Sequence, residues 1–374
     1  MNPAIVAKRA RSLLSMVEIK VNRLVGRTFI PRQSDSLCFE TSSVCNLRCR
    51  FCAYVKKQSP KVVMSQETFV DYIQQAVELG YHQFELTPCT GDVFMDRGIF
   101  DKLEYLENNP RVTSYRFFTN FTILDPPAVE RLLRLPKLRC LTISAYGHDL
   151  TSFMAITRAS EAVYLRLLAN LETLLRLLDQ RHCELSVGLR STRRIPAFGS
   201  TDLMRLLGNL RKAGVPVHIS HLYNNWGGYV LQEDVRDLEI DILGEKAVYK
   251  NGACTLLFTM VQVMATGIVN GCACRDVDAT LRIGDLNHQS LRDILSADNQ
   301  AYMSLIEEQQ RGEFRPICRS CDFYKSIYHN RSVYRQQGTE MVSLAEFKAS
   351  LQRTVPGGTR TASETSIETH SGCK

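Results

Sequence analysis

Cys45, Cys49 and Cys52 stand in the run CNLRCRFC, three thiols within eight residues, with Phe51 directly before the last and Tyr54 just after it. The C-x3-C-x2-C spacing supplies three thiolates to a [4Fe–4S] cluster, so one of its four irons is left without a protein ligand. Zinc competes for the same residue type, but it takes four tetrahedral ligands, commonly as a C-x2-C pair matched by a distant second pair. The third cysteine, Cys45, suits the three-iron face of a cubane better. A disulfide framework belongs to short secreted chains, and neither the length of 374 residues nor any visible secretory pattern points that way.

A second set follows. Cys254, twelve residues, Gly267, four residues and Cys272 are joined far downstream by Cys318-x2-Cys321. Four thiols complete a cluster, and two separated pairs also suit structural zinc. Cys274 and Cys89 are extra thiols near chemistry-bearing segments. Cys38 and Cys140 fall in apolar, strand-like runs and read as small buried hydrophobes. Cys183 is scattered like them, and Cys373 reads as an incidental exposed thiol.

The elements that position these residues show in the hydrophobic pattern. With 44% hydrophobic residues the chain can bury one large or two medium cores. CFETSS (38–43), QFELTP (83–88), TSYRFF (113–118), RCLTIS (139–144), ELSVGL (184–189) and PVHISH (216–221) read as strands, with helical segments between them. One is SQETFVDYIQQAVELG, with Ser65 as N-cap and Gly80 past the end. Six β–α units imply parallel strands with right-handed crossovers, as an open doubly wound sheet or a barrel. Residues 1–36 hold a basic amphipathic helix, too interrupted to span a membrane. It either packs on the edge or bottom of the sheet or lies on an anionic membrane surface or partner. The tail beyond Arg353 is rich in Gly, Ser and Thr and reads as disordered. A net charge of +7 is modest at this length and does not imply nucleic acid.

The cysteine loop, with the aromatic before its last thiol, resembles the radical S-adenosylmethionine (SAM) superfamily signature. The resemblance implies a partial (β/α)6 TIM barrel over residues 37–230, with the loop after the first strand and the chemistry at strand carboxyl ends. It implies that SAM chelates the open iron through its amino and carboxylate groups and is split to a 5′-deoxyadenosyl radical. TPCTGDVFMD looks like a variant of the family's GGEP motif, with Gly91 letting the backbone approach and Asp92, in place of glutamate, facing the SAM amino group. FFTNFTIL is similar to the family's TNGTLL run and brings Asn120. LTISAYGHD resembles its S-x-D-G segment, with Ser144 toward the ribose or carboxylate, and Arg190 would pair with the methionyl carboxylate. Phe51 belongs to the same cofactor group.

Residues 231–330 resemble the shortened SPASM module known as a twitch domain, a β-hairpin and short helix that carry an auxiliary [4Fe–4S] cluster on Cys254, Cys272, Cys318 and Cys321. Residues 331–374 are left as a C-terminal helix and tail. By the G-x4-C spacing Cys272 is the ligand, and Cys274 packs nearby or replaces it. An unligated Cys274 or Cys89 would be placed to donate hydrogen to a substrate radical.

The expected activity is an oxidoreductase that abstracts hydrogen from an unactivated carbon of a small-molecule or sugar-type substrate, with the second cluster as electron acceptor. A short stretch before Cys45 disfavours a peptide substrate. The alternatives are a redox-neutral epimerase, a peptide maturase, and a zinc-stabilised binding protein with no catalysis. A flavodoxin- or ferredoxin-type reductant and a cytoplasmic location go with the leading reading. NWGG at 225–228 either shapes the substrate pocket or plugs the core through Trp226.

Overall fold

The computed structural model describes residues 3–32, 36–244, 248–330 and 340–352, with side chains of the first helix from Leu13 onward. Cys373 and the Ser/Thr-rich tail lie outside the described residues.

In chain order the elements are α1 (Pro3–Leu24), β1 (Ile30–Pro31), β2 (Ser36–Phe39), α2 (Gln66–Glu78), β3 (Gln83–Glu85), α3 (Ile99–Asn108), β4 (Ser114–Thr119), α4 (Pro126–Leu133), β5 (Leu138–Tyr146), α5 (Leu150–Thr157) and α6 (Glu161–Arg176). Then come β6 (Glu184–Arg190), α7 (Asp202–Lys212), β7 (Val217–Ser220), β8 (Leu222–Tyr223) and β9 (Asp241–Ile242). The last third holds α8 (Leu256–Thr259), β10 (Gln262–Val263), β11 (Ile268–Asn270), β12 (Arg282–Asp285), α9 (Leu291–Ile294), α10 (Gln300–Arg311) and α11 (Pro316–Ser320).

The helices start where local chemistry satisfies their first amide groups. Ser65 accepts from the Thr68 N–H at 3.0 Å to cap α2. Asp125 caps α4 ahead of two prolines, which lack the N–H a helix leaves unpaired there. α2 buries Phe69, Tyr72, Ile73, Ala76 and Val77, one face at helical spacing.

All six expected strands form, and β2 to β7 pair in sequence order, each parallel to the next. In β4, Tyr115, Phe117 and Thr119 are buried on the side of the helices, where Phe94 meets Phe117 at 5.8 Å. Strand alternation sends Ser114, Arg116 and Phe118 to the opposite face. That inner face is polar: Arg116 pairs with Glu85 at 2.6 Å and Thr142 meets Ser186 at 3.1 Å. The sheet does not close, since its outermost strands are β12 and β7.

Beyond the first strand the sheet continues. β10 runs parallel to β2, and β11 and β12 add antiparallel neighbours, so the hairpin of the second cysteine set is an extension of the core sheet. α1 lies against this second segment: Asn22 donates to the Tyr328 carbonyl at 2.9 Å and Arg23 to that of Gln310 at 2.7 Å. Helix α5 carries no strong stripe in the sequence and is found only in the structure.

Candidate active site

The first cysteine set sits in the loop that leaves β2. Cys49 is buried and Cys45 and Cys52 are half-buried, and desolvation raises all three thiols, Cys45 to about 12 and Cys52 to about 11. Cys49 is raised further by the other two thiols, so the three stand within electrostatic reach of one another. Desolvated, crowded thiols ionise only against compensating positive charge, which is what iron ligation supplies. Amide groups already point at the sulfurs: Leu47 N–H donates to Cys45 Sγ at 3.4 Å and Tyr54 N–H to Cys52 Sγ at 3.5 Å. The donor set therefore fits an iron–sulfur cluster.

The loop is clamped from below and behind. Phe51 is buried, its ring 4.6 Å from that of Tyr223 and 5.2 Å from that of Tyr146. It seats the loop in an aromatic layer. Arg50 grips the Asp237 carboxylate at 2.6 and 2.8 Å, and Lys56 meets Asp234 at 2.6 Å.

Of the strand-end residues, Gly91, Asn120 and Arg190 stand against this loop. Gly91 takes φ +136°, and a side-chain carbon there would stand 2.6 Å from the Ser42 carbonyl, so only glycine lets the two backbones meet. Asn120 donates to Asn46 Oδ1 at 2.8 Å and reaches Cys45 Sγ at 3.9 Å. Ser144 lies on the inner face of β5, in register with Gly188. Arg190 ends β6 with its guanidinium 5.9 Å from the Phe51 ring, and its charge lowers Cys49 and Cys52.

Asp92 is held from within the fold. Its buried carboxylate accepts from Phe94 N–H at 3.0 Å, Thr119 Oγ1 at 3.0 Å and Asn120 N–H at 2.7 Å. With three internal donors it acts as a strut between two strand ends, and burial lifts its pKa to about 6.

The second set comes together from β11, α11 and the turn before α8. Each of its four thiols receives an N–H donor. Lys325 N–H reaches Cys254 Sγ at 3.4 Å, Cys274 N–H reaches Cys272 Sγ at 3.4 Å, Gln309 Nε2 reaches Cys318 Sγ at 3.2 Å and Phe323 N–H reaches Cys321 Sγ at 3.3 Å. Donors to sulfur are the means by which a protein tunes a cluster. Among the described residues no three His, Cys, Asp or Glu side chains converge on one metal ion.

The model of the radical SAM superfamily matches residues 39–238, more than half of the chain. The chain belongs to the radical SAM superfamily. A second model, an iron–sulfur cluster-binding domain, matches residues 254–322. Among solved structures, BtrN in complex with AdoMet and 2-DOIA is 16% identical, with TM-score 0.50, over 80% of this chain and 98% of its own. SuiB of Streptococcus suis bound to its precursor peptide SuiA is 13% identical, with TM-score 0.51, over 87% of this chain and 78% of its own. No curated protein matches the chain. Both structures share the fold, a parallel-rich α/β sheet consistent with a partial barrel.

In this radical SAM enzyme several site residues are silent in the sequence. Glu40, one residue past β2, is fully buried; its Oε1 accepts from Ala265 N–H at 3.3 Å, and the backbone N–H of Cys89 also bears on its carboxylate. Burial raises its carboxyl and Lys57 pulls it back. Lys57 is itself buried and donates to the Val277 carbonyl at 2.8 Å. Cys89 packs with Ala53 and Val277 beneath Trp226 and Tyr229. Arg275 donates to Cys274 Sγ at 3.2 Å and lies 5.4 Å from the Trp226 ring and 4.7 Å from that of Phe323. NWGG thus contacts both sets of elements. The only sequence signal for Glu40 and Lys57 was a charge beside an apolar run.

Proposed function

We propose that this radical SAM enzyme is an oxidoreductase acting on a polar small molecule, with Cys45, Cys49 and Cys52 holding the SAM-binding cluster and Cys254, Cys272, Cys318 and Cys321 the auxiliary one. The observation that carries this reading is the direct tie between the two loops, one with three thiols and one with four. Lys57 and Ser59, just past Cys52, bond to Val277 and Asp278, just past Cys274. When bound, SAM and the open iron supply hydrogen abstraction, and a cluster with no vacant iron supplies an electron acceptor.

The chain's own residues do the rest. Asn120 holds Asn46 and the Cys45 sulfur in place. Arg190, which has no carboxylate partner among the described residues, is assigned to the carboxylate of SAM. Oxidising a C–H bond also releases a proton, and the buried Glu40 carboxylate, beside Cys89 and Lys57, is assigned to take it. The polar inner face, with Glu85, Arg116, Thr142 and Ser186, suits a substrate bearing hydroxyl or amino groups.

The fold is shared alike with BtrN, in complex with 2-DOIA, and with SuiB, bound to its precursor peptide, and it is the polar inner face that favours a small molecule. The test is anaerobic turnover with deuterated candidate sugars, aminocyclitols and peptides. Deuterium in 5′-deoxyadenosine with an oxidised small-molecule product supports the proposal; deuterium transfer with an epimerised product, or from peptides alone, overturns it.

A further inference from the structure

Helix α1 has two faces of opposite character. One is docked on the auxiliary segment: Ile19 is 4% exposed, Glu18 accepts from Asn330 N–H at 2.9 Å and meets His329 at 3.5 Å, and Asn22 and Arg23 bond as described above. These contacts fix the rotation of the helix about its own axis. The other face carries Leu13, Leu14, Val17, Val21 and Leu24, with Val25 just past the helix end, all 52–88% exposed. Their spacing places them on a single stripe, since residues three or four apart share a helix face.

An apolar stripe this long, held away from the core by a docked opposite face, needs a covering medium. The charges around it decide which. The only acid in the helix, Glu18, is engaged on the docked side. The helix otherwise carries Lys8, Arg9, Arg11, Lys20 and Arg23, and Arg27 follows it. Of these, Arg23 bonds to the auxiliary segment, Lys20 lies 5.9 Å from the Tyr249 ring and Arg27 5.2 Å from that of Phe29, and all three remain exposed to solvent. No helix of the described residues is long and apolar enough to cross a membrane.

We infer that this stripe seats the enzyme on an anionic phospholipid surface, with α1 lying in the plane of the interface. An apolar face buried among acyl chains and cations at the headgroups is the arrangement that such a helix satisfies. A second copy is a poorer cover. In a two-fold interface the stripe would meet its own image and bring Lys20 and Arg27 toward theirs, which like charge opposes. The inference is independent of which substrate the enzyme oxidises.

The test is co-sedimentation of the full-length, cluster-reconstituted protein with vesicles of phosphatidylglycerol and phosphatidylcholine, beside vesicles of phosphatidylcholine alone. Binding is expected to require the anionic lipid and to weaken at about 0.5 M salt, where exposed charges are screened. Val17→Glu with Val21→Glu changes only exposed positions, so iron content should be retained while partitioning falls about tenfold or more. Failure to sediment, equal binding to neutral vesicles, or a doubly substituted protein that binds like the wild type overturns the inference. So does a dimer in vesicle-free buffer that the same substitutions dissolve, which assigns the stripe to a second copy.

Discussion

The Ser59 N–H donates to the Asp278 carboxylate at 2.8 Å, joining the segment that follows Cys52 to the turn that follows Cys274. The same carboxylate accepts from Gln58 N–H at 2.9 Å and from the Tyr229 hydroxyl at 2.7 Å. Neither cysteine loop is therefore free to move alone. Replacing Asp278 by alanine leaves three donors without their acceptor, at a cost of about 2 kcal/mol. Denaturant unfolding of the Asp278→Ala protein should show that loss, with an unchanged iron content in the folded fraction. A substitution without effect on stability would show that the tie is dispensable.

Arg190 gives a prediction about affinity. A charge-assisted pair with a carboxylate contributes about 1.5–3 kcal/mol, so Arg190→Gln should weaken SAM binding by roughly tenfold to a hundredfold, measured by calorimetry on the reconstituted protein. Unchanged affinity would assign the carboxylate to another group.

Glu40 gives one about pH. Burial raises its carboxyl above the ordinary value, so the ionised form that accepts a proton fills only as pH rises beyond the usual carboxylate range. Turnover should climb with pH through that ionisation. Glu40→Gln should remove the rising limb and lower kcat by about 10²–10⁴, with SAM binding intact. A Glu40→Gln profile that keeps the limb would exclude Glu40 as the proton acceptor.

Asp92 concerns stability. Its folded pKa of about 6 lies above the ordinary aspartate range, so the fold favours the protonated carboxyl. Stability linked to Asp92 is fully present below the unfolded value and is lost as pH rises through about 6. The amide of the Asp92→Asn protein does not titrate, so the stability of the wild type relative to that variant should fall between about pH 4 and pH 7. Urea unfolding of the cluster-free proteins at the two ends of that range checks the sign.

What could be read from the sequence follows from the range of the interactions. Strand and helix positions rest on local spacing, and the strand runs from Cys38 to Ser220 were legible for that reason. The CNLRCRFC run stood out because its three cysteines lie within eight residues. Glu40, Lys57 and Asp278 were not, because their partners lie over two hundred residues away and nothing local marks a buried charge. The pairing of β10 with β2 was hidden in the same way: two-residue strands carry no period. Asp92 was visible as a motif residue, but its three donors come from Phe94, Thr119 and Asn120, whose meeting only the fold reveals.

The central claim is a division of labour between a three-thiol loop that leaves an iron for SAM and a four-thiol set that does not. Anaerobic reconstitution with iron and sulfide counting, joined to a SAM-cleavage assay, tests it most directly. The wild type should hold about eight irons, and the Cys45→Ala/Cys49→Ala/Cys52→Ala protein about four, with no SAM cleavage. If that substituted protein still cleaves SAM, or if the wild type binds zinc and no iron, the account is contradicted.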